Sequence, residues 1–107
     1  MQNSLIKRGQ EAVYRQDHQT LKGLYMETYK EDYQLNLSDI FLKLFFHACQ
    51  HNRKSTITFL FQMYFEIFSE SERIALRQSF YYGKFKIKEK RITKWYDQCI
   101  LPVIRIK

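Results

Sequence analysis

Hydrophobic residues recur at three- and four-residue spacing over most of the chain, most clearly in the stretch 38–68. The apolar positions on the two sides of a polar break at Gln50–Ser55 are Phe41, Leu44, Phe45, Ala48, Ile57, Leu60, Phe61, Tyr64, Phe65 and Phe68. Two such stripes with a short polar break between them predict an antiparallel helical hairpin. We expect this central hairpin, 38–68, to be the buried pair against which the rest of the chain packs.

Weaker helical stripes lie on both sides of the hairpin, two before it at 5–16 and 20–29 and two after it at 70–83 and 88–101. Glycine (3 residues) and proline (1 residue) are scarce, which favours helices with short connections over a turn-rich β-sandwich. The expected fold is therefore all-α, with about six helices in three antiparallel pairs. A chain of 107 residues is long enough to close one such domain, 1–107, without a metal or a disulfide.

Local signals place the ends of the last two expected helices. A capping box opens the fifth helix, with Ser69 as the N-cap and Glu72 three residues later. We expect that helix to stop at Gly83, because glycine adopts the left-handed conformation that often ends a helix. The sixth helix should end before Pro102, which cannot continue a regular helix.

The helical stripes also suggest an internal repeat. A shift of 36 residues places Ala12 on Ala48 and Leu21 on Ile57, and a shift of 35 places Ile57 on Ile92. This period is typical of stacked helix-turn-helix units, although amphipathic helices also align in this way by chance. The spacing is similar to that of ankyrin and tetratricopeptide arrays, whose fixed motif residues are absent here. A short α-solenoid-like stack and a compact helical bundle both fit the pattern.

Positive charge is concentrated in the C-terminal third of the chain, which has a formal net charge of +7. Residues 1–72 carry 8 Lys/Arg and 9 Asp/Glu, whereas residues 73–107 carry 10 Lys/Arg and 2 Asp/Glu. Such a one-sided positive field attracts nucleic acid, acidic protein surfaces or anionic membranes, and it does not choose among them.

Aromatic and basic residues alternate within this third, and they are the candidate binding residues. Lysine and arginine neutralise phosphates while exposed rings stack on unpaired bases, so the pattern suits nucleic acid. It also suits an acidic protein partner, and a solvated loop that only keeps the domain soluble has the same composition. The candidate residues are Tyr81, Tyr82, Lys84, Phe85, Lys86, Lys88, Lys90, Arg91, Lys94, Trp95, Ile104 and Arg105.

Two segments of this third are expected to be extended. In Lys84–Lys88, lysines alternate with Phe85 and Ile87, as they would in a short strand. The tail 101–107 is apolar and contains Pro102. Either the tail packs back on the domain, pairing with Phe85–Ile87 as a small β element, or it docks onto another protein.

Catalytic and metal-binding chemistry has little support in the sequence. His47 and His51 have the spacing of the zinc motif HExxH, but Ala48 occupies the place of its glutamate and no further ligands are apparent. No phosphate-binding glycine loop and no nucleophile motif occurs. We therefore predict no enzyme activity, no metal and no cofactor.

The compartment is expected to be intracellular and reducing, either cytoplasmic or nuclear. Cys49 and Cys99 both fall inside expected helices, which fits free thiols better than a disulfide framework. The N-terminal residues lack the apolar core of a secretory signal, and charged or polar residues interrupt every apolar run before it could span a bilayer.

The functional hypothesis is a protein–protein interaction module, or a small subunit or adaptor of a larger complex, that binds through its basic and aromatic C-terminal surface. Aromatics make up 17% of the residues, and interfaces favour aromatic, methionine and arginine side chains. The alternative is an RNA- or DNA-binding protein that uses the basic patch Lys84–Lys94. A solenoid would leave apolar ends uncovered, which also predicts either self-association or a covering partner.

Overall fold

The helices of the computed structural model follow the hydrophobic stripes of the sequence. The structure describes the backbone of residues 2–30 and 37–104 and the side chains of residues 5–26 and 38–104. In chain order the helices are α1 (Gln2–Arg15), α2 (His18–Lys30), α3 (Leu37–Gln50), α4 (Lys54–Ile67), α5 (Glu70–Leu76), α6 (Ser79–Lys86), α7 (Lys90–Cys99) and the single turn α8 (Leu101–Ile104). The prediction of an all-α fold is confirmed, and the described residues contain no strand.

Helix α3 lies at the centre of the molecule and contacts α1, α2, α4 and α6. Its apolar stripe is buried, with Phe41 and Phe45 completely inaccessible to solvent. A fully buried side chain of this size contributes roughly 1.5–3 kcal/mol relative to an exposed one. Apolar residues also flank the central positions of this stripe, so α3 can pack against several helices at once.

The ring of Phe80 fixes α6 against the α3–α4 pair. Its centroid lies 4.9 Å from that of Phe45, 5.3 Å from that of Phe61 and 4.7 Å from that of Tyr64, and all three contacts are edge-to-face. Aromatic pairs in this geometry contribute about 0.5–1.5 kcal/mol beyond the area that they bury. One buried ring therefore joins α6 to both helices of the central hairpin.

The corner between α1 and α2 is closed by a Schellman motif. Gln16 adopts a left-handed φ of 57°, and its amide donates to the Val13 carbonyl at 3.0 Å. The Asp17 amide donates to the Ala12 carbonyl at 2.8 Å. These bonds satisfy carbonyls that the end of α1 would otherwise leave unpaired.

The corner between α3 and α4 repeats this arrangement 36 residues later. Asn52 has a φ of 56°, and its amide donates to the Cys49 carbonyl at 3.1 Å. The Arg53 amide donates to the Ala48 carbonyl at 2.9 Å. Asparagine tolerates the left-handed region better than most residues, so this corner needs no glycine.

The first two corners lie against each other. The Ser55 hydroxyl donates to the side-chain carbonyl of Gln16. The His18 Nε2 atom lies 3.1 Å from the Thr56 hydroxyl oxygen, within hydrogen-bond distance. The partners of these two contacts are separated by 38 and 39 positions in the sequence. The contacts therefore hold α1 and α2 beside α3 and α4 at this end of the molecule.

The capping box is confirmed, but the end expected for the helix that it opens is wrong. Ser69 accepts from the Glu72 amide, and Glu72 accepts from the Ser69 amide. The helix ends at Leu76 and resumes as α6, and Gly83 lies inside α6 with no left-handed φ. The two residues at the break, 77–78, keep backbone angles close to those of a helix. Hydrogen bonds between residues three apart bridge the break, including the bond from the Phe80 amide to the Arg77 carbonyl at 3.2 Å.

Most of the two segments expected to be extended is helical where the structure describes them, although Ile87 itself has an extended backbone. Helix α6 continues through Lys86, so Phe85 is exposed while Ile87 is buried, although a strand would place both on one face. Residues 101–104 form the turn α8, and Pro102 occupies its second position. The rest of the tail, 105–107, lies outside the described residues.

The dimensions are those of a compact globule. The Cα radius of gyration is 13.2 Å, close to the value of about 13 Å that is typical of a domain of this length. Across the described ranges, no helix combines the length and the apolar character that crossing a membrane requires.

Candidate functional site

Helix α6 presents an aromatic face to solvent. Tyr81, Tyr82 and Phe85 are 39%, 64% and 80% exposed, whereas Phe80 and Gly83 are buried on the opposite side. Residues three and four apart are neighbours on a helix surface, so these three rings form one patch. We call Tyr81, Tyr82 and Phe85 the α6 aromatic face.

The contacts of α6 with α7 explain why this face points outward. The Tyr96 hydroxyl donates to the Phe80 carbonyl at 2.6 Å, and burial raises the pKa of this hydroxyl well above its usual range, which keeps it protonated as a donor. A Cβ atom on Gly83 would lie only 3.0 Å from the same hydroxyl oxygen. The absence of a side chain at Gly83 thus lets α7 approach closely and directs the buried side of α6 inward.

A lysine lies on each side of the α6 aromatic face. On one side the Lys84 ammonium forms an ion pair with the Asp97 carboxylate at 2.8 Å. On the other side the Lys86 Nζ atom lies 5.1 Å from the centroid of the Phe46 ring. Both cations are half-buried and held to the domain. Lys86 adds positive potential beside the aromatic face, whereas Asp97 largely balances the charge of Lys84.

The exposed face of α7 has a different character. Lys90, Lys94 and Gln98 are exposed at four-residue spacing, and the neighbouring Arg91 is paired with Glu89 at 2.9 Å. The apolar residues of α7 face the core instead, with Tyr96 completely buried. This outer face therefore carries charge and hydrogen-bonding groups without large apolar side chains.

The α3–α4 corner brings two further residues to the start of α7. The side-chain oxygen of Asn52 accepts from the Lys88 amide at 3.2 Å and from the Glu89 amide at 3.1 Å. The Lys54 Nζ atom lies 5.1 Å from the centroid of the Trp95 ring, in cation–π contact. From the sequence alone, Asn52 and Lys54 are not assigned to the binding surface. The 35-residue period was the available signal, because it aligns these residues with 87 and 89 and equivalent positions of stacked repeats lie side by side.

The remaining candidate residues are less accessible to a binding partner. Trp95 is half-buried beneath Lys54, and Ile104 is buried against the domain. Arg105 lies outside the described residues. The structure therefore brings together Tyr81, Tyr82 and Phe85 on α6, whereas the exposed Lys90 and Lys94 belong to α7.

The titratable groups of the core offer no activated nucleophile. Burial raises the pKa of the Cys49 thiol to about 12, so this group stays protonated at neutral pH. The rings of His47 and His51 are 4.3 Å apart, and burial together with the neighbouring His51 lowers the pKa of His47 below its usual value. Over the side chains that the structure describes, no three His, Cys, Asp or Glu residues are grouped closely enough to hold a metal ion.

Comparison of this chain with protein-family models, with curated proteins and with solved structures finds no match.

Proposed function

We propose that this protein is an interaction module that binds an acidic protein segment through the α6 aromatic face. The observation that carries the proposal is the exposure of Tyr81, Tyr82 and Phe85 together, on the side of α6 opposite the buried Phe80 and Gly83. Large aromatic side chains are the residues that most often dominate the free energy of protein–protein binding. A ring that is 80% exposed, as Phe85 is, gains that energy only when a partner covers it.

The charges beside the rings favour an acidic partner. Lys86, which has no ion pair within the described residues, flanks the aromatic face, whereas Lys84 on the other side is paired with Asp97. Complementary charge speeds association and disfavours basic competitors, while the aromatic side chains supply affinity. The expected ligand is therefore a segment in which Asp or Glu residues alternate with apolar residues that cover Tyr82 and Phe85.

We also infer that the module is built from three antiparallel helical pairs, α1–α2, α3–α4 and α6–α7. The equal hydrogen bonding of the corners at Gln16 and Asn52, 36 residues apart, supports this arrangement. The contact of Asn52 with the start of α7 supports a third corner beside the second. In this arrangement α6 is the first helix of the last pair, which leaves its outer face uncovered.

A peptide-display selection tests the proposed function without a known partner. Random peptides are selected on the wild-type protein and counter-selected on a Tyr82→Ser/Phe85→Ser variant. We expect the surviving peptides to be enriched in Asp, Glu and apolar residues. Their dissociation constants should rise at least about tenfold on the variant, which corresponds to about 1.4 kcal/mol.

A matched variant separates the site from general surface hydrophobicity. Tyr14 and Met26 are 54% and 50% exposed on α1 and α2, so a Tyr14→Ser/Met26→Ser variant removes exposed apolar surface outside α6. The selected peptides should bind this control as tightly as the wild type. Peptides without acidic enrichment, or equal weakening by the two double variants, would contradict the proposal.

A further inference from the structure

A second surface, separate from the α6 aromatic face, gathers lysines that have no carboxylate partner. Lys54, Lys88, Lys90 and Lys94 each lack an ion pair within the described residues, in contrast to Lys84, which is paired with Asp97. All four are exposed. With Gln98 they form what we call the basic corner surface.

These lysines come from two parts of the chain that the fold joins. Lys88 precedes α7 and Lys90 and Lys94 belong to it, whereas Lys54 begins α4. The hydrogen bonds from the Lys88 and Glu89 amides to Asn52 hold the two parts together. The contact between the Lys54 ammonium and the Trp95 ring places Lys54 next to the residue that follows Lys94.

The composition of this surface distinguishes among the polyanions that could bind it. Tight protein partners are anchored mainly by apolar and aromatic side chains, and amphipathic helices insert apolar side chains among lipids. The apolar side of α7 is occupied, because Tyr96 and Ile100 are buried in the core. Phosphate groups of a nucleic acid backbone require only cations and hydrogen-bond donors, which Lys90, Lys94 and Gln98 supply.

We propose that the basic corner surface binds the phosphate backbone of nucleic acid, without base specificity. The side chains at the surface carry donors suited to phosphate oxygens and, apart from the half-buried Trp95, no ring that a base could stack on. This inference does not rest on the proposed protein-binding function, because the two surfaces use different helices and different chemistry.

Binding of fluorescent oligonucleotides across a salt series tests the inference. If four lysines each neutralise one phosphate of a single strand, affinity should fall about 50-fold between about 0.05 M and about 0.2 M salt. In a Lys88→Gln/Lys90→Gln/Lys94→Gln variant only Lys54 remains, and the same change of salt should weaken binding about threefold. Both proteins should show the same thermal unfolding temperature, since the substituted side chains are exposed.

Control proteins and control ligands decide the assignment. A Lys7→Gln/Lys22→Gln/Lys43→Gln variant removes the same charge from α1, α2 and α3 and should keep the wild-type salt dependence. A Tyr82→Ser/Phe85→Ser variant should also keep it, even where peptide binding is lost. Equal loss in the Lys7/Lys22/Lys43 control, no binding near about 0.15 M salt, or equal affinity for poly-glutamate or phosphatidylserine vesicles would each overturn the proposal.

Discussion

The side-chain oxygen of Asn52 accepts a hydrogen bond from the backbone amide of Glu89 at 3.1 Å, although the two residues are 37 positions apart. The same oxygen accepts from the Lys88 amide. Asn52 also has the left-handed φ that ends α3. One residue thus closes the α3–α4 corner and satisfies amides at the start of α7, so it holds together the two parts of the basic corner surface.

Substitution of Asn52 should separate these two contributions. Asn52→Ala removes both side-chain hydrogen bonds. It also places alanine, which tolerates the left-handed region less well than asparagine, at this φ. We expect the variant to lose about 2 kcal/mol of unfolding free energy. Asn52→Gly removes the hydrogen bonds alone and should cost about 1 kcal/mol. Urea unfolding of the two variants measures the difference. An alanine variant as stable as the wild type would contradict the role of this residue.

Two helical glycines should respond to alanine in opposite directions. Nothing lies within 4 Å of a Cβ built on Gly23 in α2, so Gly23→Ala should stabilise the protein by about 0.5–1 kcal/mol through helix propensity. At Gly83 the new methyl would meet the Tyr96 hydroxyl at 3.0 Å and the Phe45 ring at 3.2 Å. Both neighbours are fixed in the core, so Gly83→Ala should destabilise the protein. Thermal unfolding of both variants checks the signs, and stabilisation by Gly83→Ala would contradict the packing described.

The two thiols should differ in reactivity. Cys99 is exposed, whereas Cys49 is buried with a pKa raised to about 12, and the thiolate is the reactive form. A thiol-specific reagent at neutral pH should modify Cys99 rapidly and Cys49 only as fast as the protein unfolds. A Cys99→Ser variant isolates the slow phase. Rapid modification of this variant under native conditions would be inconsistent with the buried position of Cys49.

Acid should weaken the fold through His47. Its pKa in the folded state lies below the ordinary value of 6.5, mainly because of burial and also because of His51. The unfolded chain then binds more protons, so stability falls as the pH drops through about 6.5, and the loss is complete below the folded-state pKa. Urea unfolding at about pH 7.5 and about pH 5.5 should show a smaller drop for His47→Gln than for the wild type.

A separate pH window serves as an internal control for this prediction. The pKa values of Asp17 and Glu72 are lowered, chiefly by hydrogen bonds from Thr20 and Ser69 respectively. The stability that these two carboxylates contribute is present above their pKa in the unfolded chain, about 4. It is lost only as the pH falls below that value. The His47→Gln variant should keep this lower transition. An unchanged drop between about pH 7.5 and about pH 5.5 in the variant would contradict the assignment to His47.

The spacing of apolar residues and one capping box predicted much of the fold. The stripes containing Phe41 and Phe61 became α3 and α4, and Ser69 begins α5 as its sequence context indicates. These features are local, because each depends on residues within one or two turns. The break at Arg77–Gln78 has no such signal, since neither residue is a glycine or a proline and both keep helical backbone angles.

The candidate site was only partly predictable for the same reason. Alternation of lysine with Phe85 and Ile87 suggested a strand, but helix α6 turns Phe85 to solvent while Ile87 becomes buried at its end. The sequence predicts a helix stop at Gly83. In the structure Gly83 instead lies against Tyr96, 13 residues later, and no local signal encodes this contact. Lys54 could join the lysines of α7 only through a tertiary contact that composition does not encode.

The α6 aromatic face is proposed to bind an acidic protein segment. A nuclear magnetic resonance titration of the ¹⁵N-labelled protein with a selected acidic peptide tests it most directly. We expect the largest amide shifts to fall within 79–86 and the Tyr82→Ser/Phe85→Ser variant to abolish them. Largest shifts on the outer face of α7, at 90–98, or shifts that persist in this variant, would contradict it.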